Sequence, residues 1–365
     1  MGRDLGMSAA AVFGAFSLAL VVAGLLGPLA GRLIDRHGGR PVLIGTNLVF
    51  AAGLAALALS QGPVSFFAAW ALIGVAMSGG LYEAAFSALV RLYGRDARDP
   101  ITGITLIAGF ASTVGWPLTA WLEAGLGWRG ACLAWAAIHL AVALPLNAWL
   151  PRAGAPGGHD AAPTPGTGSE EPVCARPRWT AAVLGFVFGV AWFVSTAMAA
   201  HLPGLLVAAG TSLAAAAAIG GLVGPAQVAG RLLEFGVLRR WHPLLSARLA
   251  ALAHPLGAML LLGLGAPAAA AFALLHGAGN GILTIAKGTL PLAFFGARGY
   301  GARQGGIMLA ARVGQAFAPL LFGLAIERFG ADALWLSSAL GLAVLAALFA
   351  LPPLRAPSGA TAAQS

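Results

Sequence analysis

Three ionisable side chains stand inside otherwise apolar runs of this chain: Glu83, Lys287 and Arg312. Placing a charge in hydrocarbon is costly, so such groups face a water-filled cavity, a partner or a membrane surface. A carboxylate in that setting can exchange a proton or pair with a cation. Lys287 offers a compact point charge, and Arg312 a planar fork that grips a carboxylate through two N–H bonds. Together they favour a small organic anion. Arg312 has a second reading, because its long stem lets the guanidinium snorkel to a nearby surface. Glu83 and Lys287 equally suit a structural ion pair or a helix-end contact. Asn280, Gln227 and Gln315 are neutral polar groups in apolar runs, able to touch a ligand or to bridge helices. His139, His201 and His276 titrate near neutral pH and are candidate proton carriers, or hydrogen-bonded packing residues. His201 precedes Leu202-Pro203 at the end of a run.

Enzyme chemistry has no comparable support. The chain has no Gly-x4-Gly-Lys-Ser/Thr, Gly-x-Ser-x-Gly or His-Glu-x2-His pattern. Gly277-Ala278-Gly279-Asn280-Gly281 lies inside an apolar run with no strand before it, which points to close helix packing. Cys132 and Cys174 form no metal-type spacing with histidine. We therefore expect no enzyme activity, no cofactor and no metal.

The elements that must position these groups are membrane helices. Of 365 residues 59% are hydrophobic and 9% charged, against roughly 25% charged in soluble domains. Mean hydropathy is +0.85. The apolar runs approach ~20 residues without alternating, so helices are expected and a barrel is not. Apolar length and breakers predict about eleven spans. The Pro- and Gly-rich stretch 151–178 divides them, which predicts a flexible linker. Arginines 32, 36, 40, 91, 95, 98, 239, 240, 298 and 303 collect on one face, and only 3, 129 and 328 on the other. The first face is therefore expected to be cytoplasmic, with the C-terminus there too. The net charge of +9 becomes a topology signal, and nucleic acid is not an expected partner.

Residues 31–43 read Gly-Arg-Leu-Ile-Asp-Arg-His-Gly-Gly-Arg-Pro-Val-Leu. Gly31 allows two helices to approach closely, Asp35 places a carboxylate at a membrane face, and Arg36, Gly38 and Arg40 complete a charged turn. This resembles the loop between helices 2 and 3 of the major facilitator superfamily, G-x-L-x-D-R-x-G-R-R/K-x-x-L, with Gly39 replacing a basic residue. A repeat supports the likeness. Gly27-Pro28 and Ala30-Gly31-Arg32-Leu33 recur as Gly224-Pro225 and Ala229-Gly230-Arg231-Leu232. Arg231 then reads as the membrane-edge partner of Arg32, and Glu234 as the mirror of Asp35 in a decayed clasp.

The resemblance implies an all-α integral membrane protein with two pseudo-repeated helix bundles. It predicts an N-terminal bundle at 1–150 (family helices 2–6), a cytoplasmic linker at 151–178, a C-terminal bundle at 179–355 (family helices 7–12) and a disordered tail at 356–365. One span precedes the 31–43 motif where the family has two, so family helix 1 is expected to be missing from this sequence. The implied function is a secondary transporter in the cell inner (plasma) membrane, working by alternating access as a monomer. Glu83 and Lys287 fall on family helices 4 and 10, which line the central cavity. There they can pair until a carboxylic substrate displaces Glu83 or a proton neutralises it. The 31–43 turn becomes a gating clasp. Two alternatives stay open. One is a transporter-derived sensor or non-transporting partner protein. The other is a drug or metabolite efflux carrier, although Gly109, Gly115 and Pro117 keep only part of the antiporter pattern G-P-x-x-G-G, with Trp116, Thr119 and Ala120 departing from it.

Overall fold

A computed structural model of the protein describes residues 1–152 and 176–351. The body of the expected linker and the C-terminal tail lie outside the described residues. The first run carries α1 (Ala9–His37), α2 (Gly39–Ala58), α3 (Pro63–Gly80), α4 (Tyr82–Tyr93), α5 (Arg98–Ala108), α6 (Ala111–Ile138) and α7 (Leu144–Ala148). The second carries α8 (Pro177–Ala208), α9 (Leu213–Gly221), α10 (Val223–Gly236), α11 (Pro243–Leu264), α12 (Ala269–Phe295), α13 (Tyr300–Phe329) and α14 (Ala333–Phe349).

Local sequence explains the boundaries. Proline opens α3, α8 and α11, where a missing N–H costs nothing. Ser8 and Ser212 cap α1 and α9 alike, each hydroxyl accepting from an amide three residues on at 3.2 Å. These serines fall at matching places in the two repeats. Nine apolar stretches among the described residues are long enough to cross a membrane. Three of them contain a glycine at positive φ: Gly94 in Pro63–Ala108, Gly127 in Pro117–Ala148 and Gly330 in Tyr300–Phe349. At Gly127 two helices meet across a kink.

The buried apolar cores follow the two runs. Phe66, Ile73 and Leu57 anchor a core made only of first-run residues. Phe188, Leu290 and Leu348 anchor one made only of second-run residues. A smaller cluster is shared: Phe86, Val90 and Ile101 from the first run meet Leu292 and Tyr300 from the second. The longest contact between the runs is α1 against α13. Gly24, Gly27 and Gly31 face Arg312, Gly305 and Gly301. A Cβ on Gly31 would overlap the Gly301 carbonyl, and one on Gly301 would stand 2.5 Å from the Gly31 carbonyl. Small residues at such a crossing let two backbones touch, as the motif predicted. Likewise Gly277 and Gly279 of α12 abut the Val223 and Ala250 carbonyls, which supports packing rather than a nucleotide loop.

Replacing Gly31 by Val should force α1 from α13 and lower stability by about 1–3 kcal/mol. A lower Tm in detergent checks this, and an unchanged Tm would mean that the crossing can open without cost.

Candidate functional site

The three intramembrane charges converge. Glu83 stands in the first turn of α4, after the break at Leu81 that separates α3 from α4. Its Oε1 accepts from Lys287 Nζ at 3.0 Å and its Oε2 from Arg312 Nη2 at 2.8 Å. One carboxylate thus serves two cations from α12 and α13. The side chains are almost fully enclosed, 3% exposed for Lys287, 12% for Arg312 and 13% for Glu83. Removing one partner of a buried pair strands a charge at a cost of about 3–5 kcal/mol. Arg312 therefore does not snorkel. Its second nitrogen, Nη1, donates to Gln315 Oε1 at 3.0 Å, so Gln315 steadies the fork.

Aromatic rings complete the Lys287 environment. Its ammonium lies 4.7 Å from the ring centres of both Tyr82 and Trp192 and 5.9 Å from Phe86. Ring faces attract a desolvated cation. Beside the triad a cleft of ≈ 380 Å³ runs between α1, α3, α4 and α13, with Glu83, Arg312, Met77, Ser78 and Ser87 on its walls.

Lys287 is also tied through its backbone. Pro291 has no N–H, so the carbonyl of residue 287 loses its helical donor. Gln304 Nε2 supplies one at 2.9 Å, and Tyr300 Oη donates to the neighbouring Gly288 carbonyl at 2.8 Å. Both donors come from the first turns of α13. Pro291 was a visible signal of an orphan carbonyl, but nothing local to it names Gln304 or Tyr300.

The same end of α13 receives Asp35. Its two oxygens accept the Gly301 and Ala302 amides, each at 2.9 Å. The clasp is thus a carboxylate on a helix N-terminus, where free N–H groups favour an anion. Arg36 is exposed and Arg40 half-buried, and Gly38, at φ 82°, joins α1 to α2. Glu234 of α10 mirrors Asp35 more closely than its sequence promised. It reaches the first run at the N-terminus of α5, pairing with Arg98 at 3.5 Å, while Arg98 also donates to the Trp241 carbonyl at 3.1 Å. Arg239 and Asp99 add an exposed pair at 3.4 Å. Arg231 departs from its expected place at the membrane edge. Arg32 is exposed, but Arg231 is 5% exposed and donates to the Thr105 carbonyl at 3.0 Å.

The remaining candidates are elsewhere. His201 Nε2 bonds the Pro319 carbonyl at 2.8 Å and fastens α8 to α13. Gln227 packs through its backbone against Gly281. Asn280 lines a separate cavity of ≈ 410 Å³ within α8, α11, α12 and α14, beside His254 and His276, whose Nδ1 atoms are 3.0 Å apart. His139 bonds Asn47 at 2.8 Å. No group of three or more metal-ligating side chains occurs among the described residues.

With this geometry in view, the family model described as Major Facilitator Superfamily matches residues 1–299. No curated protein sequence matches the chain. Among solved structures, the human organic anion transporter MFSD10 (TETRAN) is similar at 21% identity and a TM-score of 0.71, covering 95% of this chain and 87% of its own. FucP, a transporter of the same superfamily in the outward conformation, shares 17% identity at a TM-score of 0.69, covering 92% and 89%. The proton:xylose symporter XylE, bound to 6-bromo-6-deoxy-D-glucose, shares 13% at 0.71, covering 93% and 86%. At these identities the likeness is one of fold.

Loss of the α13 cap is testable. Asp35→Ala should weaken it by about 0.5–2 kcal/mol. Amide hydrogen exchange at Gly301 and Ala302 should then rise several-fold while the centre of α13 stays protected. Unaltered exchange at those two amides would deny the carboxylate its role.

Proposed function

The chain belongs to the major facilitator superfamily, and we propose that this multi-pass secondary transporter carries a small organic anion, with Glu83 as its internal stand-in. The observation that carries this reading is the double engagement of Glu83 by Lys287 and Arg312. Two cations held ready on one carboxylate form a receptor for another. An incoming anion can displace Glu83, or a proton on Glu83 can release the cations; either event changes the charge that ties α4 to α12 and α13. A ligand that binds the released arrangement better shifts the conformational equilibrium. That is how charge state would drive alternating access.

The two bundles, 1–150 and 179–355, are the moving bodies in this proposal. Eleven membrane crossings follow when Gly94, Gly127 and Gly330 are taken as turns and α5 with the part of α6 before Gly127 as one crossing. The arginine-rich face is cytoplasmic by the positive-inside rule, in the cell inner membrane. The Asp35, Arg98–Glu234 and Arg239–Asp99 contacts all join the runs at that face. In this proposal those contacts close the cytoplasmic side, and releasing them opens it.

Two variants in proteoliposomes test the scheme. Glu83→Gln cannot ionise, so gradient-driven anion uptake should vanish while anion exchange persists; full gradient-driven uptake would remove Glu83 from coupling. Lys287→Ala should weaken anion affinity at least tenfold, equivalent to about 1.4 kcal/mol, and equal affinity would remove Lys287 from the binding site.

A further inference from the structure

Arg231 holds a charge that the triad leaves unused. It stands on α10 and is 5% exposed. Its Nη1 bonds a neutral acceptor, the Thr105 carbonyl, and its Nε has no partner. Glu234, one turn along, is engaged with Arg98. Among the described residues no carboxylate forms an ion pair with Arg231. A buried guanidinium without a counter-ion is unfavourable unless something supplies one.

Arg231 also adjoins the triad. Tyr82 links them: Lys287 Nζ lies 4.7 Å from its ring centre, and Arg231 lies beside its hydroxyl. Gly109 leaves room for the guanidinium, since a Cβ there would stand 2.5 Å from Nη1. Glu83 pairs with Lys287 and Arg312 and not with Arg231, so three cations stand against one carboxylate and two positive charges are in excess. A monoanion would leave one of them. A dianion brings the set to neutrality with Glu83 still ionised.

Building on the anion-carrier reading above, we propose that the cargo is a short-chain dicarboxylate and that Arg231 is its second anchor. One carboxylate takes the Lys287 and Arg312 donors from Glu83. The other passes the edge of Tyr82 to the Arg231 fork, whose buried Nε–H has no partner. A guanidinium matches a carboxylate through paired N–H groups, which an ammonium at this position would not reproduce. No covalent step is involved, and selectivity comes from an unpaired charge that a monocarboxylate leaves behind.

Binding of radiolabelled succinate and butyrate to the full-length chain in lipid nanodiscs tests this. The wild type should hold succinate at least tenfold more tightly than butyrate. Arg231→Gln should bring succinate to the level of butyrate and leave butyrate unchanged. Equal affinities in the wild type, or a succinate preference that survives in folded Arg231→Gln, would overturn the second anchor while the anion carrier stands. Binding of neither acid would overturn both. Should Arg231→Gln fail to give a cooperative thermal transition, Arg231→Lys decides. It keeps the charge and loses the fork, so succinate alone should weaken several-fold, and undiminished succinate binding counts against the proposal.

Discussion

A single carboxylate ties together the polar centre of this molecule. Glu83 pairs with both Lys287 and Arg312, among aromatic rings that face the ammonium. Without it two cations would repel each other in a low-dielectric interior, and α12 and α13 would lose their common tie to α4. The position of Glu83 is itself a product of the break at Leu81, which restarts the helix and presents the carboxylate on its first turn. Charge pairing and helix geometry are here one constraint.

The first turns of α13 carry that constraint to the basic face. Gln304 and Tyr300 hold the carbonyls of Lys287 and Gly288, one turn before Pro291. Between Tyr300 and Gln304, Gly301 and Ala302 give their amides to Asp35. The buried lysine and the Asp35 clasp thus bear on one short stretch of backbone. A shift of α12 at Lys287 would be felt where Asp35 caps α13. The opposite pair of helices, α5 and α10, repeats the device with different chemistry, Arg98 taking the place of a free helix N-terminus as the partner of an acidic side chain.

Much of this was legible from residue type and spacing. Apolar run length placed the helices, and rarity picked out Glu83, Lys287 and Arg312, because a charge in a membrane span needs a reason. Gly31 and Asp35 announced a close crossing and a clasp. The partners were less visible. Asp35 was expected in a charged turn with Arg36 and Arg40, yet it serves backbone amides some 266 and 267 positions away, and amides leave no mark in a sequence. Repeat symmetry put Arg231 at a membrane edge with Arg32, but burial follows the packing of α10 on α5 and α12, which the repeat does not determine. His201 read as a proton carrier or a packing residue and Asn280 as a ligand contact or a helix bridge; rotation about the helix axis turned one toward the Pro319 carbonyl and the other into a separate cavity.

Infrared difference spectroscopy of the purified protein, with and without a bound carboxylate such as succinate, tests the central claim most directly. Glu83 as an internal stand-in predicts a change in a protein carboxylate stretch on ligand addition, lost in Glu83→Gln and retained in Asp35→Asn. Ligand binding with no change in a Glu83 carboxylate band would contradict the account, because the cations would then have accepted an anion without releasing the one they already hold.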